Sequence, residues 1–420
     1  INQIDDLIPT ENPSPNQVQA LLSLIKNNKF ADYFFDHVEK PNWIEPLHAE
    51  GFFYQVPDSI KMTDGSFFLP PWSAGSYLIR FAAYYEDIIF DVVRKTKTDN
   101  WRVHELFIDA MILISLKKAS RLVYKINSWL ESKFSDMLPN KLIALTDHFI
   151  NEDYPKAAIR IFKYVIQPKE IKNVDEYSQT ISPLKFRSDA FWVNEYYQKI
   201  FPRLLKKNSS SIGKVFQTHL EKIIACVNHL PIDNPEMQVG FYWRPDIPFR
   251  HSPRNEVDVI DLHVDGLRDS LVALCNQSTK DGRKKVEAYL DGDHLILQRI
   301  ALFSLRKCGE KYPDLVEGVM AKTNYLEDRV FDDDYRGLLR DQFGTISPDL
   351  RKSVIDFILS GPSNIEEKAR NWARAVNRES TEEDAQIIID RWRFQHLPLI
   401  EKYLSPDELA ILKSIKDKYR

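Results

Sequence analysis

The sequence predicts an all-α fold, an irregular α-solenoid of stacked helical hairpins, on three observations. Apolar residues recur at helical spacing along nearly the whole chain. Strand-like alternation bounded by turn residues is almost absent. Only 13 of the 420 residues are glycine, where average usage is about 7%. The same scarcity leaves no G-x-G-x-x-G and no G-x-x-x-x-G-K-[ST], which excludes a dinucleotide fingerprint and a Walker A phosphate loop within this chain.

The elements follow in order. Ser14-Pro15 places an N-cap hydroxyl before a proline at the first helical position, as do Ser347-Pro348 and Ser405-Pro406. Asn42 to Leu47, stopped by Gly51, reads as a short helix whose Trp43, Ile44 and Leu47 face the core. The alternative is an aromatic ligand pocket built from Trp43, Trp72 and Trp101. Between Gly51 and Leu69, Phe52-Phe53-Tyr54 and Phe67-Phe68-Leu69 flank Asp64-Gly65 as the arms of one short β-hairpin, near 52–69. Val103, Leu106, Phe107 and Ala110 line one helix, and Ala119, Leu122, Val123, Ile126 and Leu130 the next, which makes a helical hairpin. Further pairs are expected at 140–150 with 155–166, 190–206 with 214–228, 256–276 with 283–290, 294–307 with 313–321, and 334–343 with 349–359. The segment Leu295 to Leu305 is apolar nearly all round, as for a helix enclosed by others.

The expected organisation is an N-terminal helical part with the hairpin (1–95), helical repeats (96–230), an irregular basic-aromatic loop (231–255) and C-terminal repeats of HEAT or armadillo type (256–420). A second irregular stretch runs from Pro168 to Asp189. Cys226, Cys275 and Cys308 are widely spaced and odd in number, which suggests neither a disulfide framework nor a zinc knuckle and fits a reducing cytoplasm. The longest apolar stretch, Leu106 to Leu116, is broken by Asp109 and is too short to span a bilayer. Ile1 at the start and the charged run Lys413 to Arg420 at the end read as a segment cut from a longer polypeptide.

Charge narrows the function. With 57 basic and 61 acidic side chains the net charge is −4, so any contact with nucleic acid has to be local. Two local candidates stand out as a recognition surface. Tyr242, Trp243, Arg244, Arg250 and Arg254 alternate guanidinium groups with aromatic rings, a mixture that holds phosphate and stacks bases. The alternative is that the ring and Pro245 pack this loop on the helices while the arginines bind acidic neighbours or helix carbonyls. Lys118, Arg121 and Lys125 form a basic stripe within residues 94–125, which carry eight Lys/Arg against three acidic residues; a solvated helix face is the alternative. Asp332-Asp333-Asp334 reads as a helix N-terminal cluster and, less simply, as a Mg²⁺ site. Asp261, His263 and Asp265 have metal-like spacing, but on a helix His263 points roughly opposite the two aspartates. Asp293 or His294 is expected to cap the helix that follows. No catalytic motif, metal set or cofactor site is recognisable, so the segment itself is read as non-enzymatic.

Several phrases carry a family likeness. Phe34-Phe35, Asn42-Trp43-Ile44-Glu45-Pro46-Leu47, Gly51-Phe52-Phe53, Pro71-Trp72, Tyr77-Leu78-Ile79-Arg80, Thr98-Asp99-Asn100 and Arg102-Val103-His104-Glu105 belong to it. Trp243-Arg244-Pro245, Gln298-Arg299-Ile300-Ala301-Leu302, Phe331-Asp332-Asp333 and Gly361-Pro362 continue it. The chain thereby resembles the helical-repeat region of large bacterial STAND-type NTPases of the antiviral defence kind. The resemblance implies a ligand-sensing or regulatory scaffold whose NTPase and effector lie elsewhere, with a phage protein or its own NTPase and effector domains as partner. A stand-alone helical-repeat nucleic-acid binder and a protein–protein scaffold are the alternatives. No catalytic residue carries over.

Overall fold

Helices make up almost every element, and the fold is all-α. The structure, a computed structural model, describes residues 2–170, 184–228, 240–241, 244–248, 258–375 and 377–418. By contact the chain parts into two compact units, Ile1–Asn208 and Ser209–Arg420.

The first unit begins with α1 (Asn2–Asp5), α2 (Pro15–Leu24), α3 (Asn28–His37) and α4 (Ile44–Ala49). Ser14 caps α2 in a reciprocal capping box with Gln17, as read, whereas Ser347 stands at the N-cap of Pro348–Ser360 without a side-chain capping bond. Trp43, Ile44 and Leu47 are fully buried, and Phe34 meets the Trp43 ring edge-on at 5.4 Å. Gly51 ends this helix in the left-handed region (φ 73°), which a side chain would disfavour.

The expected hairpin forms over a narrower span. β1 (Ile60–Lys61) pairs antiparallel with β2 (Phe67–Phe68), with Ile60 opposite Phe68. Asp64 accepts from the Ser66 amide at the turn. Phe52-Phe53-Tyr54, expected as the first arm, is instead a turn of 3-10 helix, because the reversal at Gly51 carries Phe53 into the core.

Next come α5 (Ser73–Arg80), α6 (Glu86–Lys95), α7 (Trp101–Leu113), α8 (Leu116–Leu122), α9 (Tyr124–Trp129), α10 (Leu138–Asn151) and α11 (Pro155–Val165). Helix α3 packs on α5, α5 on α7 and α7 on α10, while α10 and α11 form the expected hairpin. A small ladder between β3 (Pro168–Glu170) and β4 (Leu184–Phe186) closes the stretch read from sequence as irregular.

Residues 190–206 and 214–228, expected as two helices, fall within one stretch, α12 (Ala190–Asn228), as two helices that meet at a kink where Asn208 leaves helical geometry (φ −158°, ψ 74°). The two units part at this bend.

The second unit continues with α13 (Val259–Gln277), α14 (Thr279–Leu290), α15 (Leu295–Cys308), α16 (Pro313–Met320), α17 (Asp332–Gln342), α18 (Pro348–Ser360), α19 (Ile365–Ala375), α20 (Glu382–His396) and α21 (Pro406–Lys418). Helix α15 lies against α13, α14 and α17, which explains why its sequence is apolar all round. No described helix is long and apolar enough to cross a membrane.

Two glycines on facing helices separate packing from helix propensity. A Cβ on Gly266 would come within 2.2 Å of the Phe216 ring, whereas one on Gly213 would meet the Ser270 Cβ at an ordinary 3.4 Å. Alanine gains up to about 1 kcal/mol over glycine inside a helix, while forcing a methyl into a filled core costs about 1–3 kcal/mol. Gly266→Ala is therefore expected to lower the urea unfolding midpoint and Gly213→Ala to hold or raise it. A rise in both would show that the Phe216 ring repacks freely.

A buried histidine makes the first unit sensitive to acid. His104 stacks on Trp129 at 5.2 Å, and its Nε2–H donates to the Thr98 carbonyl at 3.0 Å. Burial holds its pKa down to about 4, from 6.5 in the unfolded chain, and its buried Nδ1 has no acceptor for a second proton. A depressed pKa means that the native state binds fewer protons. Its stability contribution is complete above pH 6.5 and is lost as pH falls toward 4, by about 3 kcal/mol in all. Urea titrations should show that loss in the parent chain and a clearly flatter slope in His104→Gln; equal slopes would contradict it.

Candidate functional site

Two buried guanidinium groups organise the second unit. The spacing i, i+4 sets Asp261 and Asp265 on one face of α13. Between them stands Arg244, 1% exposed. It pairs with Asp261 through Nη1 and with Asp265 through Nη2 at 2.6 Å, and donates to the Asp246 and Ile247 carbonyls at 2.8 and 3.1 Å. Arg268 adds bonds to Asp265 and to the Ile247 carbonyl, each at 2.9 Å.

The Arg244 carbonyl in turn accepts from Arg299 of α15 at 2.7 Å. Arg299 is wholly buried, and it also donates to the Gly240 and Pro245 carbonyls at 2.6 and 2.8 Å and to Asp334 of α17 at 2.6 Å. Its guanidinium lies 5.9 Å over the Phe241 ring. Burial pushes the Asp334 carboxyl up, and Arg299 offsets only part of the shift.

Of the expected basic-aromatic surface, Tyr242, Trp243, Arg250 and Arg254 lie outside the described residues. Arg244 is described, and it is an internal tie rather than an exposed contact, because both faces of its fork are held by buried carboxylates. The acidic runs divide in the same way. Asp332, Asp333 and Asp334 all lie in the first turn of α17, where carboxylates complement the helix dipole, but no side chain caps it. Asp334 is turned inward to Arg299, while Asp332 and Asp333 face Arg336. His294 stands at the N-cap of α15 without a side-chain capping bond.

His263 points away from its neighbouring aspartates, as read. Its Nδ1–H donates to the Val259 carbonyl at 2.6 Å, which leaves Nε2 to accept from His219 Nδ1–H at 3.1 Å. This buried imidazole pair joins α12 to α13, and sequence reading had not singled out His219. Among the described residues no group of three or more metal-ligating side chains comes together.

The basic stripe of the first unit is likewise engaged. Val123 interrupts the helix between Arg121 and Lys125, so the stripe spans α8 and α9. Lys118 pairs with Glu86 at 2.7 Å and Asp87 at 2.8 Å, and the Arg121 guanidinium lies 4.8 Å over the Phe90 ring. Lys125 is buried and donates to the Arg94 and Thr96 carbonyls at 3.2 and 2.6 Å, a cation closing the C-terminus of α6. All three hold α8 and α9 against α6 and do not form a free face.

What remains open in the second unit is a groove of about 560 Å³ between the later part of α12, α13 and α14. Lys214, Lys284 and Lys285 stand along it, above Leu271, Leu274 and Tyr289. A second hollow of about 700 Å³ lies between α19 and α20. Arg378 there is bound to Asp384 and Arg370 lies 3.7 Å from Glu366, so most of its positive charge is already matched. The groove is the better candidate for binding, and its lysines, scattered through an unremarkable sequence, had not been singled out.

Replacing Arg244 by Met leaves Asp261 and Asp265 buried with their main counter-charge gone. Breaking such a pair costs about 3–5 kcal/mol, so Arg244→Met should lower the urea midpoint steeply. An unchanged midpoint would return Arg244 to the surface role. No protein-family model, no curated protein and no solved structure matches this chain, so its functional reading rests on its own residues.

Proposed function

We propose that this chain is a non-catalytic helical recognition segment, the ligand-sensing or regulatory scaffold of a larger bacterial defence NTPase working in the cytoplasm. The observation that supports a binding role is the division of its charges. The described basic residues expected to meet nucleic acid are engaged internally, on Asp261, Asp265, Glu86, Asp87, Phe90 and helix carbonyls. The α12–α14 groove, by contrast, keeps lysines beside an apolar floor. The reading also agrees with the sequence, in which a phosphate loop is missing and the resemblance is to a sensor region.

The chain, immobilised, should retain a single phage protein from infected cells and not from uninfected ones, read by mass spectrometry. Nucleic acid retained instead and released by ~0.5 M salt would replace this reading by the helical-repeat nucleic-acid binder. Recovery of the same host proteins in both samples would favour an assembly scaffold.

A further inference from the structure

The α12–α14 groove carries more positive charge than its own carboxylates offset. Lys285 is half-buried in the wall, donates to the uncharged Gln217 amide oxygen at 2.5 Å and lies 5.0 Å over the Tyr289 ring. It forms no ion pair among the described residues, and neither do Lys214 and Lys284, which are exposed beside it. Burial lowers the Lys285 pKa; Glu221 partly offsets this, and Lys214 adds to it. The two acids that line the groove form no ion pair with these lysines, and three ammonium groups against two carboxylates leave an excess of positive charge. Asp281 accepts from the Ser278 hydroxyl at 2.8 Å at the start of α14, and Glu221 accepts from the Gln217 amide at 2.7 Å.

Beneath the lysines the lining turns apolar, with Leu274 and Ala288 open to the groove over the buried Leu271 and Tyr289. A volume of about 560 Å³ falls among small-ligand sites. An anion with a flat apolar part fits both halves at once. It would meet three ammonium groups, relieve the repulsion between Lys214 and Lys285, and cover the apolar floor.

We propose that this groove binds a nucleotide, with its phosphates on Lys214, Lys284 and Lys285 and its base against the open apolar surface of Leu274 and Ala288. The site goes beyond the recognition reading and does not depend on which macromolecule, if any, the chain meets. Free inorganic phosphate offers the same charge without the base, so the test separates the two.

The test is calorimetric titration of the full chain with adenosine diphosphate, inorganic pyrophosphate and adenosine. The nucleotide should bind, with pyrophosphate and adenosine each weaker by roughly tenfold or more. In Lys214→Glu/Lys284→Glu, which changes two exposed side chains, nucleotide binding should fall by at least about tenfold, with the urea midpoint retained. Lys285→Met should weaken it as well; should that variant misfold, the exposed pair decides. Pyrophosphate binding as tightly as the nucleotide would overturn the base seat. No binding of either anion, or binding unchanged in the double variant, would overturn the site. Retention of a phage protein by the double variant would leave the recognition reading intact, so the two proposals fail separately.

Discussion

A chain of buried ion pairs running Asp265–Arg244–Arg299–Asp334, linked in the middle by the hydrogen bond from Arg299 to the Arg244 carbonyl, is the constraint around which the second unit is built. It passes from α13 through residues 244–248 to α15 and on to α17. Three guanidinium groups, Arg244, Arg268 and Arg299, face three carboxylates, Asp261, Asp265 and Asp334. Desolvating charges is costly, as the raised carboxyl of Asp334 shows, and a buried pair gains little over a hydrophobic filling of the same volume. Removing one partner is far more costly than never having had the pair, so the arrangement fixes position. Arg299 does so for backbone as well as side chains, because three carbonyls of the 240–245 segment accept from it.

The first unit applies the same physics more cheaply. Lys125 needs no carboxylate, because the free carbonyls at the C-terminus of α6 supply the negative end of a helix dipole. Lys118 and Arg121 complete the attachment through Glu86, Asp87 and the Phe90 ring. In both units, basic residues that would form a patch in an isolated helix act as connectors between helices. Three lysines without an ion pair, Lys214, Lys284 and Lys285, stand together along the groove beside Tyr289.

Periodicity carried the helical class, the inward face of Trp43, Ile44 and Leu47, and the enclosure of α15, since each rests on apolar spacing within one element. It failed where one backbone position decides. Nothing in the composition shows that Ile60-Lys61 rather than Phe52-Phe53-Tyr54 pairs with Phe67-Phe68. Charge pairing was legible only in part. Arg299 lies within an otherwise apolar run, LILQRIALFSL, so its burial and need for an acidic partner could have been argued from sequence. Which of Asp332, Asp333 and Asp334 turns inward depends on the register of α17 against α15, a tertiary fact. The groove lysines escaped notice because they come from two helices far apart in the chain, and no single window contains them.

The recognition role proposed above calls for an interior that holds its helices in place while the surface stays available to a ligand. Whether the buried ionic chain supplies that rigidity is measured most directly by a double-mutant cycle on Arg299 and Asp334, using Arg299→Met, Asp334→Asn and the double variant in urea unfolding. The account predicts a coupling of about 2–3 kcal/mol, with the double variant more stable than the sum of the single losses implies. A coupling within about 0.5 kcal/mol of zero would show two independent residues and contradict it.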